Sequence, residues 1–286
     1  MPQPTADLTR LIRCACILEA TARKPGNVHP EVAFSDLCYD DFVNAARVAA
    51  PLLAEARQRE VGQSILDAVV ATGEATGGNV NLGIILLLAP LAAVPTNLSL
   101  VDGIADVLGS LTQQDASLAY QAIRRANPGG MGRSETEDVA AEPTGTLLEV
   151  MRLAADRDAI AMQYASRFEL VLETGVPILA AESHFQENWE QAIIRLHLTL
   201  MATCPDSLIA RKRGVDEAHK SAELAKAVLE AGWPTTRPGA QKLVELDVWL
   251  RDRGNSRNPG TTADLVAATI FAALRDGFVE MPPGVE

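Results

Sequence analysis

The sequence lacks most of the features that identify common classes of enzyme. Its 286 residues include only four cysteines and four histidines. The cysteines form no CxxC pair and share no metal-ligand spacing with the histidines, which disfavours both a zinc site and a disulfide framework. The chain contains no Walker P-loop, no GxGxxG motif after a strand and no GxSxG motif. Its chemistry therefore need not resemble that of a kinase, a dehydrogenase or an α/β-hydrolase.

Aromatic residues and positive charge are also scarce. Only 4% of the residues are aromatic, whereas 48% are hydrophobic and alanine and leucine are abundant, which favours helices over sheets. The formal net charge of -12 argues against binding to nucleic acid or to anionic membrane surfaces. An anionic small molecule remains possible as a ligand, because it needs only a local cluster of basic residues.

The longest apolar run is too short to cross a membrane, yet it organises the chain. Residues 82–93 are apolar on every side, which predicts a buried central helix, and the run is well below the ~18 residues of a membrane span. The preceding residues, 77–81, are glycines and asparagines around one valine. Such a helix start can bind a phosphate, or it can simply cap and pack the helix. Because the N-terminus lacks a signal-peptide pattern, we expect a cytoplasmic protein.

The remaining pattern predicts a single all-α domain over residues 1–286, a bundle of about ten helices around the central helix. Asp115 is the predicted N-cap of a helix over 116–126. Residues 146–172 are predicted as one long helix or two, and 168–179 as the end of a helix followed by a loop. Thr261 or Thr262 is the predicted N-cap of the last helix, which places Asp264 in its first turn.

Five turns share one composition, in which glycine or proline accompanies asparagine, aspartate, lysine or arginine. They are the segments 24–29, 77–83, 129–138, 206–214 and 253–264. If these turns converge, they form an amide-rich basic pocket with a few carboxylates, which suits a nucleotide. Each turn also has a purely structural interpretation. Asp206 or Ser207, for example, would cap a short helix whose last turn carries Arg211, Lys212 and Arg213.

Four motifs in this order resemble the triphosphoribosyl-dephospho-CoA synthase family: Lys24-Pro25-Gly26-Asn27-Val28, Asn79-Val80-Asn81-Leu82-Gly83, Asp206-Ser207-Leu208-Ile209-Ala210-Arg211 and Asn258-Pro259-Gly260-Thr261-Thr262-Ala263-Asp264-Leu265. The resemblance implies an all-α transferase that moves the triphosphoribosyl group of ATP to dephospho-CoA and releases adenine. In family members with that activity, a His-Lys pair stands just before the glycine of the second motif. This sequence has Asn81-Leu82 at that place. This version of the motifs resembles a branch of the family that is associated with tetrahydromethanopterin and methanofuran pathways. The acceptor implied by that branch is either dephospho-CoA or another cofactor precursor.

The resemblance leads to a hypothesis for each candidate site residue. The catalytic base would be Asp138 or Glu19. Asp206 and Asp264 would bind Mg²⁺, directly or through water. The nucleotide and its phosphates would be bound by Lys24, Gly26, Asn27, Asn79, Asn81, Gly83, Arg133, Arg211, Arg213, Asn258 and Gly260. The reaction would pass through an oxocarbenium-like transition state at C1 of the ribose.

Two other functions are consistent with the sequence. The Asp-Ser-Leu-Ile-Ala segment faintly resembles a metal motif of the all-α ADP-ribosyl hydrolases, which predicts hydrolysis without an acceptor. A non-catalytic nucleotide-binding protein would keep the same turns for folding alone. A homodimer is also conceivable for a chain so rich in apolar residues, although no heptad pattern indicates one.

Overall fold

The protein is built from helices, as its composition predicts. The computed structural model describes residues 5–127 and 139–284, and over these residues it contains no β-strand, only an isolated bridge between His29 and Val32. The first seven helices are α1 Thr5–Thr21, α2 Tyr39–Ala54, α3 Val61–Thr76, α4 Leu82–Ala93, α5 Leu100–Ser110, α6 Gln113–Ala126 and α7 Leu147–Ala154. The remaining helices are α8 Ala159–Ala165, α9 Val176–Ala180, α10 Phe185–Thr203, α11 Ser207–Arg213, α12 Val215–Glu230, α13 Arg237–Arg251 and α14 Gly260–Arg275. A π-helical turn, Leu170–Gly175, leads into α9.

The predicted buried central helix is confirmed. Every residue of α4 from Ile84 to Ala93 is buried, as expected for a helix with no polar face. A second helix shares this position, because α14 is buried at every residue from Thr261 to Arg275 except Asp264. The two helices contact each other, and α2 and α3 also pack against α4. The core is therefore organised around a pair of helices rather than around one.

A smaller apolar cluster lies beside the main core. It is formed by side chains of α10 to α13 and of the turn after α12. Helix α10 contributes to both clusters, with Ile193 and Leu196 in the main core and Ile194 and Leu198 in the smaller one. The single-domain assignment stays a prediction, and this sharing of α10 is consistent with it.

The region predicted as one or two helices over 146–172 is more broken than expected. Helix α7 ends at Ala154, and Asp158 caps α8 by accepting hydrogen bonds from the backbone N–H groups of Ile160 and Ala161. Positive φ angles at Arg167 and Phe168 then end α8. The loop predicted for the end of 168–179 is wrong, since residues 170–180 are helical.

Two predicted helix starts are also corrected. Thr112, not Asp115, is the N-cap of α6. Asp115 is the third helical residue, and its carboxylate accepts the backbone N–H of Thr112 at 2.8 Å in a capping box. Helix α14 begins at Gly260, so neither Thr261 nor Thr262 is its N-cap and Asp264 lies beyond its first turn.

Among the described residues, no single helix combines the length and the apolar composition that crossing a membrane requires. Helices α10 and α11 meet both criteria only when they are taken together, and they are bent by 57° relative to each other.

Candidate active site

Four of the five turns that the sequence singles out converge on one large cleft of about 1200 Å³, and the fifth, 129–138, lies outside the described residues. Its wall includes the end of α1 and the turn that follows it, the start of α4, helix α11 and the turn that opens α14. These segments are far apart in the sequence but close in space, because α1 and α4 both pack on α14. The cleft exceeds the usual volume of a pocket for one small ligand, about 300–1,000 Å³. It is large enough for two substrates.

Two carboxylates form the acidic centre of the cleft wall. Glu19 is only 3% exposed, and it pairs with the ammonium of Lys24 at 3.0 Å. Asp264 also lines the cleft, and within the described part of the chain no hydrogen bond reaches its carboxylate. Burial, reinforced by the nearby charges of Glu19 and Asp206, raises the pKa of Asp264 well above its usual value. This shift favours the protonated form of Asp264 relative to an ordinary aspartate.

Gly83, in the first turn of α4, makes room for Asp264. A Cβ on this glycine would lie 2.0 Å from Oδ2 of Asp264 and 2.4 Å from Cγ. A side chain of any size at position 83 would therefore displace the carboxylate. Gly83 of the second motif and Asp264 of the last motif therefore lie directly against each other.

Among the described residues, α11 supplies two of the cations that line the cleft, and Arg157, between α7 and α8, is a third. Arg211 and Lys212 both line the cleft. Arg211 donates a hydrogen bond to Oδ2 of Asp158 at 3.0 Å, while Oδ1 of Asp158 caps α8. Both side chains of this pair are partly exposed. The pairing fixes the direction of the guanidinium and leaves other donors of this group for an anion.

Asp206 lies behind the cleft wall and has a structural role. One of its carboxylate oxygens accepts the backbone N–H groups of Leu208 and Ile209 at 2.8 and 3.0 Å. The other accepts the N–H and the hydroxyl of Thr262 at 2.7 and 2.9 Å. Burial raises the pKa of Asp206, and these hydrogen bonds oppose that effect. One buried carboxylate thus caps α11 and ties it to the first turn of α14, which confirms Asp206 as the N-cap of the short helix.

Four of the predicted nucleotide-binding residues are asparagines, whose side chains carry amides. The side-chain amide of Asn27 donates to Oδ1 of Asn258 at 2.9 Å, and both residues line the cleft. Oδ1 of Asn27 is buried without a partner within the described residues. Asn79 lines the cleft and accepts the N–H of Leu82 at 3.2 Å. Asn81 is buried and does not line this cleft, and its Oδ1 has no hydrogen-bond partner among the described residues.

The structure thus brings together about half of the predicted site residues. Those that line the cleft are Glu19, Asn27, Asn79, Gly83, Arg211, Asn258, Gly260 and Asp264. Those that lie elsewhere in the structure are Lys24, Gly26, Asn81, Asp206 and Arg213. Arg133 and Asp138 lie outside the described residues. Lys24 is completely buried against α1, and Arg213 is exposed at the end of α11.

Sequence reasoning missed Asp158, Lys212 and most of the apolar wall. Asp158 gave a signal that was not used, since an aspartate followed by an apolar run is a typical N-cap. The apolar wall gave none, because its residues look like ordinary core positions of amphipathic helices. The main apolar residues of the wall are Phe34, Phe42, Leu82, Leu86, Tyr120, Ile123, Val150, Met151 and Ile160.

The described residues do not form a magnesium site made by the protein alone. Within residues 5–127 and 139–284, no group of three or more histidine, cysteine, aspartate or glutamate side chains is arranged to hold a metal ion. Both oxygens of Asp206 are already occupied by hydrogen bonds. The geometry therefore gives no support to Asp206 as a metal ligand.

Comparison with known proteins identifies the family of this chain. Residues 5–282 match the model of the CitG family, described as ATP:dephospho-CoA triphosphoribosyl transferase. The chain belongs to this family. The match covers all of the motifs that line the cleft, and it confirms the resemblance that the motifs predicted.

Individual relatives agree with the family assignment. Two are named "Probable 2-(5''-triphosphoribosyl)-3'-dephosphocoenzyme-A synthase": one from Stutzerimonas stutzeri, 31% identical over 104 residues, and one from Pseudomonas fluorescens, 33% identical over 107 residues. Each alignment covers 36% of this chain and 35% of the relative, so the chain matches about a third of their length. A crystal structure of an Archaeoglobus fulgidus protein, assigned as a triphosphoribosyl-dephospho-CoA synthase, superposes with a TM-score of 0.63 at 28% identity. The match covers 82% of this chain and 99% of that one.

These comparisons favour neither alternative function. The family model describes a transferase, and none of the relatives reported above is a ribosyl hydrolase or a binding protein without activity.

Proposed function

We propose that this chain transfers the triphosphoribosyl group of ATP to dephospho-CoA and releases adenine. The observation that carries the proposal is the cleft itself, in which cations of α11 and the carboxyl groups of Glu19 and Asp264 line one cavity large enough for a donor and an acceptor. Membership of the CitG family supplies the reaction type.

In this proposal the triphosphate binds at the basic end of the cleft. Arg211 and Lys212 contact its oxygens, and Asp158 keeps the guanidinium of Arg211 in place. Asn27 and Asn258 hydrogen-bond the ribose hydroxyls or the base, since the buried Oδ1 of Asn27 lacks a donor within the described residues. The apolar wall then accommodates adenine and the uncharged part of the acceptor.

The two carboxylates divide the proton transfers between them. Glu19 accepts the proton of the acceptor hydroxyl while the hydroxyl oxygen forms a bond to C1 of the ribose. The bond from C1 to adenine breaks, its electron pair goes to the base, and Asp264 supplies the proton with which adenine leaves. Solvent then returns Glu19 and Asp264 to their starting states. The raised pKa of Asp264 suits its role as the acid in this division.

Magnesium enters the proposal as the counter-ion of ATP. Mg²⁺ commonly binds through substrate phosphates and keeps several waters, which is compatible with a cleft whose described residues do not form a metal site of their own. The ion would neutralise charge on the triphosphate.

Four finer points remain part of the proposal. We place the reaction in the cytoplasm, since the four cysteines are free. Another cofactor precursor as the acceptor and a homodimer both stay predictions from the sequence. Asp138 also stays a candidate base, because it lies outside the described residues.

The first experiment is to incubate the purified chain with ATP, Mg²⁺ and dephospho-CoA and to measure adenine by chromatography. Adenine that forms only when dephospho-CoA is present would support the proposal. Adenine or ribose triphosphate without an acceptor would indicate a hydrolase. No adenine from the folded protein, while an established family enzyme works in parallel, would refute dephospho-CoA as the acceptor or ATP as the donor.

A further inference from the structure

Lys24 is the least exposed cation of the turns that build the cleft, and its surroundings do not resemble a phosphate site. Its side chain is completely buried. The ammonium donates to the backbone oxygens of Glu19 and Ala22, the latter at 3.3 Å, and pairs with Oε1 of Glu19 at 3.0 Å. An ammonium has three N–H donors. All three are therefore directed at oxygens of the protein's own α1 segment.

Glu19 needs such a partner because it is buried at the place where the chemistry is proposed. A carboxylate that is 3% exposed is costly to ionise unless a positive charge and hydrogen bonds compensate it. The other carboxyl group on this wall, that of Asp264, supplies no positive charge to compensate it. Glu19 nevertheless lines the cleft, and no described residue donates a hydrogen bond to its Oε2. One oxygen is held by Lys24, and the other is left for a substrate.

The turn after Lys24 keeps the ammonium in this position. Gly26 has a φ of +77°, and its N–H donates to Oδ1 of Asp247 at 2.7 Å. A Cβ at Gly26 would lie 2.9 Å from atoms of Leu250 and Pro259, so the turn is packed tightly against α13 and the segment before α14. To reach a phosphate in the cleft, the ammonium of Lys24 would have to leave its contacts with Glu19 and Ala22.

We propose that Lys24 is a positioning residue, which holds the carboxylate of Glu19 in place as the base, and that it does not bind the phosphates of the substrate. This inference rests on the proposed transferase function. It also revises the role that the sequence pattern suggests for the lysine of the Lys-Pro-Gly-Asn motif.

The test compares Lys24→Met, Glu19→Gln and the double variant. Lys24→Met alone leaves a buried carboxylate without its partner and should lower the free energy of unfolding, whereas the double variant removes both charges at nearly constant volume. We expect Glu19→Gln and the double variant to have equal kcat values, about 100-fold or more below the wild type. In the Lys24→Met variant, kcat should fall to a similar level while the KM for ATP changes by no more than about twofold.

Calorimetric binding of inorganic tripolyphosphate provides the measurement that does not depend on turnover. The double variant should bind this probe within about twofold of the wild-type Kd, because Lys24 makes no phosphate contact. A Kd at least tenfold weaker, which corresponds to about 1.4 kcal/mol, would overturn the inference. So would a Lys24→Met variant with wild-type kcat. Absence of adenine from the wild-type chain would instead refute the proposed function, and the tripolyphosphate comparison would still decide whether Lys24 binds phosphate.

Discussion

The carboxylate of Asp264 occupies the space that a side chain on Gly83 would need. A Cβ at position 83 would lie 2.0 Å from Oδ2 of Asp264. This contact joins the first turn of α4 to α14, the two helices at the centre of the core. The most deeply buried elements of the fold therefore also set the position of the proposed acid.

Replacing Gly83 by alanine tests this contact. The added methyl group would push the carboxylate away, and a misplacement of about 1 Å in an active site can cost on the order of 100-fold in rate. We expect kcat to fall at least tenfold, with a loss of about 1–3 kcal/mol in the free energy of unfolding. Both are measured by the adenine assay and by urea denaturation.

Gly73→Ala is the matched control. Gly73 lies inside α3, and a Cβ there would meet nothing within 4 Å. Alanine should stabilise this helix by up to about 1 kcal/mol and leave the rate unchanged. A Gly83→Ala variant that behaves like this control would show that Asp264 has room to move without consequence.

The class of the fold and the segments that build the cleft could be predicted from the sequence. The role of each residue within those segments could not. Helix α4 was recognisable because its residues are all apolar, whereas α14 carries threonines and an aspartate and looks like an ordinary capped helix. Its burial follows from packing between segments about 180 residues apart, which periodicity does not report. For a similar reason, the sequence did not show that Lys24 pairs with Glu19 or that Asp206 also binds Thr262. A charged residue in a glycine-rich turn suggests a ligand, yet both serve other parts of the protein.

Asp264→Asn should abolish turnover, with a loss of at least about 100-fold if the carboxyl group acts as the acid. It should not harm the fold. Burial and the charges of Glu19 and Asp206 raise the pKa of Asp264 in the folded state, so the folded protein holds this proton to a higher pH than the unfolded chain does. The stability gained is complete below the ordinary aspartate pKa of about 4 and is lost as the pH rises through the raised value.

The asparagine variant stays neutral, so its free energy of unfolding should exceed that of the wild type increasingly as the pH rises above about 4. Urea denaturation at several pH values measures this difference. Asp106→Asn, on the exposed face of α5, should run parallel to the wild type. If Asp264→Asn also ran parallel, the proposed protonation of Asp264 would be wrong.

Asp206→Ala should destabilise the protein by about 2–4 kcal/mol. It removes the acceptor of four hydrogen bonds and leaves buried donors of α11 and α14 unpaired. Asp206→Asn keeps one acceptor oxygen and should lose less. Because the residue caps helices in this account, both losses should be the same in EDTA and in Mg²⁺. Destabilisation that appears only in the presence of Mg²⁺ would restore Asp206 as a metal ligand.

Arg211 and Arg213 offer a comparison within one helix, because only the first lines the cleft. Arg211→Met removes a charged hydrogen-bond donor worth about 1.5–3 kcal/mol to a phosphate, so the KM for ATP should rise roughly 10- to 150-fold. The lost pairing with Asp158 is partly exposed and should cost no more than about 1 kcal/mol of stability. Arg213→Met should leave KM and kcat unchanged, since Arg213 is exposed on the far end of α11, where Glu217 feels its charge. Steady-state kinetics of the two variants at saturating dephospho-CoA decide the matter. An equal rise in KM for both would mean that the triphosphate extends beyond the cleft to Arg213, as the sequence alone predicts.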